Sequence, residues 1–243
     1  MPIEGKVVLI TGGGSGVGAA IARQFAEAGA QVVVMGRRAE QLQATCESIV
    51  NGPQARPIVA DVADRAQVSA LVEQVVSEFG RLDILVNNAG VNTPARRLEQ
   101  LSFEDWDYLM TVNATGAFNV IQAVLPHMRS RGDGLIINVS SISGRRASTL
   151  AGAAYSASKH ALNALSKVVS QEEEQHGIRS TIISPGDINT PLLDKRPAPV
   201  SAEQRAKILQ PDDIAAAALF VARLPAHVSV PEIVIKPIGQ MYS

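Results

Sequence analysis

Tyr155 and Lys159 stand four residues apart in the run Tyr155-Ser156-Ala157-Ser158-Lys159. On a helix, positions i and i+4 share a face. A phenol with an ordinary pKa of about 10 is a poor proton donor or acceptor at neutral pH. A neighbouring ammonium favours the phenolate and lowers that value. The pair therefore suits acid–base work at a substrate oxygen. Ser140 and Ser141 follow the strand-like run Leu135–Val139, and a hydroxyl there can hydrogen-bond a carbonyl oxygen. A Ser–His–acid hydrolase is the rival use of such serines. It is rejected because neither serine lies in a G-x-S-x-G elbow.

A second cluster lies near the start of the chain, Thr11-Gly12-Gly13-Gly14-Ser15-Gly16-Val17-Gly18. Its spacing is T-G-x-x-x-G-x-G and not the G-x-G-x-x-G dinucleotide fingerprint. Glycines let a backbone turn tightly and approach a pyrophosphate, whose charge meets the N-terminus of the following helix. Gly12, Gly14, Ser15, Gly16, Val17 and Gly18 are thus candidate phosphate-binding residues. About 20 residues on, a strand ends at Met35-Gly36-Arg37-Arg38. An acidic residue there would grip the ribose 2′-hydroxyl of NAD. Two arginines stand in its place, as expected for the 2′-phosphate of NADP. One charge-assisted hydrogen bond of roughly 1.5–3 kcal/mol shifts preference about tenfold to a hundredfold. Ser15 adds no charge beside that phosphate.

The elements that must position these groups alternate along the whole chain. Strand-like runs are expected at Lys6–Thr11, Gln31–Met35, Arg56–Ala60, Leu82–Val86, Leu135–Val139, Arg179–Ile183 and Glu232–Ile235. Helical patterns fall between them at Gly16–Gly29, Ala39–Val50, Asp64–Phe79, Ser102–Arg129, Ala153–Gln175 and Asp212–Arg223. Asp64 is a candidate N-cap, Gly80 a terminator, and Pro211 sits at a helix start where its missing N–H costs nothing. Near-continuous apolar strands alternating with helices indicate an α/β fold, a single doubly wound (Rossmann-type) domain over residues 1–243 with about seven parallel strands. Pro191, Pro197 and Pro199 mark residues 191–210 as irregular. One reading is a surface loop; because the stretch follows a strand C-terminus, where such folds bind ligands, a mobile lid over a substrate site is the favoured expectation.

Composition agrees with an enzyme-sized domain. The chain has 243 residues, 46% hydrophobic and 19% charged, enough apolar material for a sizeable core. A formal net charge of −1 offers no bulk attraction to nucleic acid or to a membrane surface. One cysteine, Cys46, allows no intrachain disulfide, and four scattered histidines give no metal-ligand spacing. No uninterrupted apolar run reaches membrane-spanning length, and the N-terminus enters a strand without a signal-peptide pattern. A cytoplasmic protein is expected.

Taken together, these motifs resemble the short-chain dehydrogenase/reductase family, in its single-domain branch of about 250 residues. The resemblance spans essentially the whole chain and rests on Thr11–Gly18, Asp61-Val62, Asn87-Asn88-Ala89-Gly90, Asn113, Ser141, Tyr155 with Lys159, and Pro185-Gly186 through Thr190. It implies NADP(H), with NAD as the alternative, and interconversion of a carbonyl and a secondary alcohol. It implies Tyr155 as general acid/base, with Lys159 lowering its pKa and holding the nicotinamide ribose. Ser141 would orient the carbonyl and is preferred to Ser140 because Ile142-Ser143-Gly144 follows it. Asn113 would hold a water in a proton relay reaching Lys159. Asp61 would contact the adenine with Val62 beside it. Asn88, Ala89 and Gly90 would line the far ribose, and Pro185, Gly186, Ile188 and Thr190 would position the nicotinamide.

Many members of the family end on a Val-Asp-Gly-Gly-like stretch, where this chain has Pro231-Glu232-Ile233-Val234-Ile235-Lys236-Pro237. That departure points away from the carrier-protein-linked ketoacyl reductases and toward broad-substrate hydroxy-acid or carbonyl reductases. A non-catalytic dinucleotide-binding regulator and a sugar-nucleotide epimerase or dehydratase are the rival readings. The intact Tyr155, Lys159, Ser141 and Asn113 oppose the first, and the short stretch after Thr190 opposes the second. Substrate walls are expected from Asn92–Arg97, Arg145–Leu150, Asp187 and Leu192–Leu209. Arg96, Arg97, Arg145 and Arg146 could meet an anionic substrate, but solvation at the surface is the expectation for each. The family's habit implies a homotetramer or homodimer built partly on Ser102–Arg129 and Ala153–Gln175.

Overall fold

The apolar runs become the strands of one parallel sheet. In the computed structural model, which describes residues 3–240, these are β1 (Val7–Thr11), β2 (Gln31–Gly36), β3 (Arg56–Val59), β4 (Ile84–Asn87), β5 (Gly134–Val139), β6 (Ile178–Pro185) and β7 (Glu232–Ile235). The order across the sheet is β3-β2-β1-β4-β5-β6-β7. Successive β1 side chains supply both faces. Val8 and Ile10 join a core with Ile21, Phe25, Val34, Leu42 and Ile214, whereas Val7 and Leu9 join one with Met35, Leu71, Val72, Ile121 and Met128. Burying a side chain of this size stabilises the fold by about 1.5–3 kcal/mol. Cys46 lies buried in the first core.

The helices are α1 (Gly16–Glu27), α2 (Ala39–Glu47), α3 (Arg65–Phe79), α4 (Phe103–Met110), α5 (Gly116–Arg131), α6 (Ala153–Glu173), α7 (Ala202–Ala206) and α8 (Pro211–Arg223). Asp64 caps α3 by accepting from the Ala66 and Gln67 N–H groups, and Gly80 ends it at φ 71°.

Two expectations are corrected. The single helix expected over Ser102–Arg129 is two helices joined by a π-helical turn, Thr111–Thr115, which contains Asn113. The turn Thr111–Thr115 contains neither proline nor glycine, so no breaker in the sequence marked it. Residues 191–210 are not an irregular loop throughout. They contain a 3₁₀ turn, Pro191–Lys195, then α7 with a Ser201–Gln204 capping box, and Ile188 and Leu209 form a parallel bridge.

Strand order reverses between β1 and β4, the place where doubly wound folds bind ligands at the strands' carboxyl ends. The turns after β1, β4 and β5 open on that edge, carrying the glycine run, Asn88–Gly90 and Ser140-Ser141. The opposite edge is held by Asp83. Its carboxylate accepts from the Val7 N–H at 2.9 Å and from Arg81 at 2.7 Å, with Arg131 at 2.8 Å and Lys6 at 3.4 Å.

Candidate active site

Thr11 and Asn88 lock the glycine turn to the β4 turn. The Thr11 hydroxyl accepts from the Asn88 and Ala89 N–H groups, both at 3.0 Å. The Asn88 amide donates to the Thr11 and Gly12 carbonyls at 3.0 and 3.2 Å. Gly12 has φ 65°, and a Cβ there would stand 2.9 Å from the Ala89 backbone. A Cβ at Gly18 would overlap the Gly12 carbonyl oxygen. Gly12 and Gly18 therefore serve the close approach of turn, helix and neighbouring strand.

A groove of about 360 Å³ opens between these turns. Gly12, Gly14, Ser15, Gly16 and Val17 line its middle, against the start of α1. Arg37, Arg38, Asp61 and Val62 line one end, Tyr155 and Lys159 the other, with Asn88, Ala89 and Gly90 between. Gly18 does not line the groove. Its glycine floor at a helix N-terminus suits the phosphates of a dinucleotide.

Arg37 is held in place before any phosphate is considered. It donates to the Tyr108 hydroxyl at 3.1 Å, its guanidinium carbon lies 6.0 Å from that ring's centroid, and Asp61 stands 3.9 Å away. The Tyr108 hydrogen bond, followed by charge from Tyr108 and Asp61, holds the Arg37 pKa above its ordinary value. Tyr108, on α4, was not singled out in the sequence. Nothing in its local spacing signals a partner 71 positions away.

At the other end, Tyr155 lies in the first turn of α6. The Ser141 hydroxyl accepts from the Ser143 N–H at 3.1 Å, capping the turn Ile142–Gly144, and Ser141 faces the same cavity as Tyr155. Ser140 instead lies beneath Gly144, where a Cβ would stand 2.8 Å from its hydroxyl. Lys159 donates to the Val139 carbonyl at 3.0 Å and lies 5.9 Å from the Tyr155 ring centroid. Asn113 ties the parts together. Its Oδ1 accepts from the Val91 N–H at 2.8 Å, and its Nδ2 donates to the Val91 carbonyl and to the Ser158 hydroxyl, both at 3.0 Å. Ser158 in turn donates to the Tyr155 carbonyl at 2.8 Å. The Asn113 side chain is thus bonded to protein on both sides, and it holds α6 against the β4 turn.

The electrostatic balance differs from the expectation that Lys159 lowers the Tyr155 pKa. Burial dominates and pushes the phenol above its ordinary value, while the Ser141 hydroxyl and the Arg96 charge pull against burial. Burial also pulls Lys159 down to about 8. The spacing of the two residues gave the shared face but could not reveal that both are enclosed.

Beyond Tyr155 and Ser141 lies a second cavity of about 150 Å³, whose wall includes Arg96, Asp187, Arg196 and Gln240. Pro185 and Gly186 line this smaller cavity and not the groove, whereas Ile188 and Thr190 line both. Asn92, Ser148, Leu150, Leu192 and Leu193 contribute from the expected wall segments. Arg97 and Arg145 lie outside it, paired with Glu99 and Glu232. Arg96 is not the solvated surface cation expected. It is 8% exposed and donates to the carbonyls of Thr93, Leu150 and Lys195 at 3.1, 2.6 and 3.1 Å. Among the described residues no group of His, Cys, Asp and Glu could hold a metal, and no helix is long and apolar enough to cross a membrane.

Comparison with known proteins follows the same lines. The family model for short chain dehydrogenases matches residues 6–200. An L-fucose dehydrogenase from Mus musculus is 40% identical over 237 residues, covering 90% of this chain and 82% of its own. A metagenomic short-chain oxidoreductase solved with NADP superposes with a TM-score of 0.85 at 32% identity, over 99% of this chain and 100% of that one. A 3-ketoacyl-(acyl-carrier-protein) reductase from Brucella melitensis solved with NADH has a TM-score of 0.87 at 33% identity, over 96% and 98%.

Proposed function

From the premise that this chain belongs to the short chain dehydrogenase family, we propose that it is an NADP(H)-dependent oxidoreductase interconverting a carbonyl and a secondary alcohol, with Tyr155 as the general acid/base. The observation that carries this reading is the position of Tyr155. It lines both the groove and the smaller cavity, and Ser141 lines that cavity with it.

Gly14, Ser15, Gly16 and Val17 would hold the pyrophosphate, Arg37 and Arg38 the 2′-phosphate, and Asp61 and Val62 the adenine side. Asn88, Ala89, Gly90 and Lys159 would hold the second ribose, and Ile188 and Thr190 the nicotinamide. When bound, the dinucleotide supplies or accepts the hydride. Ser141 donates a hydrogen bond to the substrate oxygen and orients the carbonyl. Tyr155 gives that oxygen its proton in reduction and takes it back in oxidation. Lys159 carries positive charge beside the phenol and stabilises the phenolate as it forms. Asn113 fixes the relation of α6 to the β4 turn, so the reacting groups meet at one geometry.

Residues 191–210 supply Leu192, Leu193 and Arg196 to the cavity wall, which supports a lid role. Exposed Phe103, Phe118 and Val168 on α4, α5 and α6 support a homodimer or homotetramer joined across these helices.

Oxidation of NADPH and NADH in the presence of ketones, aldehydes, diketones, quinones and β-keto esters tests the reading. Turnover with NADPH that disappears in Tyr155→Phe is expected. Turnover mainly with NADH would overturn the phosphate assignment, and turnover surviving in Tyr155→Phe would overturn the acid/base assignment.

A further inference from the structure

Arg96 presents an energetic problem that the reaction as proposed does not use. A buried charge is normally paired with an opposite charge. Among the described residues no carboxylate lies within ion-pair distance of Arg96, and its guanidinium donates to three backbone carbonyls. Those carbonyls come from the segment after β4, the loop before α6 and the turn after Thr190. They aim the guanidinium into the small cavity, which Arg96 shares with Tyr155 and Ser141. Three of its five N–H groups are taken by those carbonyls, which leaves donors to offer.

The other charges on the cavity wall do not cancel it. Asp187 is paired with Arg196 at 2.5 Å, and both are half-buried. The two arginines and one aspartate leave one positive charge in excess beside the catalytic phenol. Arg96 also feels the Arg196 charge, which acts with burial to disfavour its charged form. An anion in the cavity would relieve both costs. Lys195, which lines the adjoining groove, adds no compensating negative charge. The volume of about 150 Å³ is small beside common ligand sites of roughly 300–1,000 Å³, so the anion belongs to a short molecule.

We propose that the substrate is a short-chain oxo acid and its hydroxy-acid counterpart, with the carboxylate received by Arg96 and supported by Arg196 while the carbonyl oxygen meets Ser141 and Tyr155. This rests on the oxidoreductase reading above. The reacting bond is that of any ketone. One hydride and one proton add across C=O, NADPH is oxidised to NADP⁺, Tyr155 gives the proton, and the carboxylate gains and loses nothing.

The test compares matched pairs on the full-length protein with NADPH, such as acetoacetate against methyl acetoacetate and 4-oxopentanoate against its methyl ester. The acid is expected to exceed its ester about tenfold or more in kcat/KM, mainly through KM. Arg96→Gln removes a charge that also acts on the Tyr155 phenol, so the readout is the acid-over-ester ratio in kcat/KM: it is expected to fall about tenfold or more, and Arg96→Lys is expected to restore part of it. Arg96 also ties three segments together, so a measurement on the unmutated protein stands beside the variants. Butyrate is expected to inhibit ester reduction competitively, and butyramide is not. An ester turned over as well as its acid, with no inhibition by butyrate, overturns the substrate class and leaves the oxidoreductase reading standing. No turnover of acids or neutral carbonyls alike overturns the oxidoreductase reading on which the proposal rests.

Discussion

The Arg37 guanidinium and the Tyr108 hydroxyl meet in a 3.1 Å hydrogen bond across the rim of the groove, 71 positions apart in the chain. An arginine side chain loses considerable freedom when it is ordered. Tyr108 bears part of that ordering before a phosphate arrives, and Asp61 at 3.9 Å holds the same group from another side.

Arg37→Ala is therefore expected to weaken NADPH about tenfold to a hundredfold while NADH changes by less than about threefold. Tyr108→Phe removes one hydrogen bond and keeps the ring, so NADPH weakens by only about two- to tenfold. KM values for both dinucleotides check this. An equal loss with NADH would mean that the pair serves the adenine end in general.

Tyr155→Phe retains the ring and removes the proton donor. Turnover is expected to fall about 10²–10⁴-fold, the usual share of general acid–base catalysis. NADPH binding, followed by quenching of protein fluorescence, should stay within about threefold.

Lys159 trades stability for chemistry. Its pKa is about 8 in the folded protein, against 10.5 for an ordinary lysine. Between those values the unfolded chain binds a proton that the native state does not, so stability rises with pH across the window. Below about 8 both states are protonated, and the native state carries the full cost of a buried charge, on the order of 3 kcal/mol. Lys159→Met is expected to raise Tm at neutral pH, to gain less as pH approaches 10.5, and to lose nearly all activity. Thermal melts across that range, beside NADPH oxidation, decide it. A lower Tm at every pH would show that the bond to Val139 outweighs charge burial.

Asp83 acts on stability alone. Burial pushes its carboxyl up, but Arg81, the Val7 N–H, Arg131 and Lys6 outweigh burial and bring it to about 2. Its contribution is complete above the ordinary 3.8 and is lost as pH falls through about 2. Asp83→Asn leaves several cations around a neutral amide and should cost about 3–5 kcal/mol in denaturant titration. Because Asp83 sits at the edge of the sheet opposite the glycine turn, kcat should be unchanged at temperatures where the variant is folded.

The parts of the site legible in the sequence are those written in local spacing. Tyr155 and Lys159 share a helical face within one turn, and the glycine run lies within eight residues after a strand. The central strands β1, β2, β4 and β5 could be read because they are buried almost throughout and so are largely apolar, whereas the edge strands β3 and β7 are partly exposed. Arg96 and Arg97 show why the rest was hidden. They are adjacent and chemically identical, yet one is enclosed by three carbonyls and the other pairs with Glu99 at the surface. That difference arises from loops that only the folded topology brings together. The direction of the Tyr155 pKa shift was hidden for a related reason, since enclosure is a property of the packed chain.

The π-helical turn at Thr111–Thr115 gives the chain an unusual tolerance to changes in its length. Such a turn closes i→i+5 hydrogen bonds and so holds one residue more than an α-helical turn. Deleting one residue from an ordinary helix rotates everything beyond it by about 100° and turns its buried face to solvent. Deleting Ala114 would instead let α4 and α5 merge into one regular helix with both buried faces kept in phase. The fold would absorb the loss, but Asn113 would leave its place between Val91 and Ser158. Seen this way, the bulge is a single-residue insertion whose removal separates folding from function within one helix.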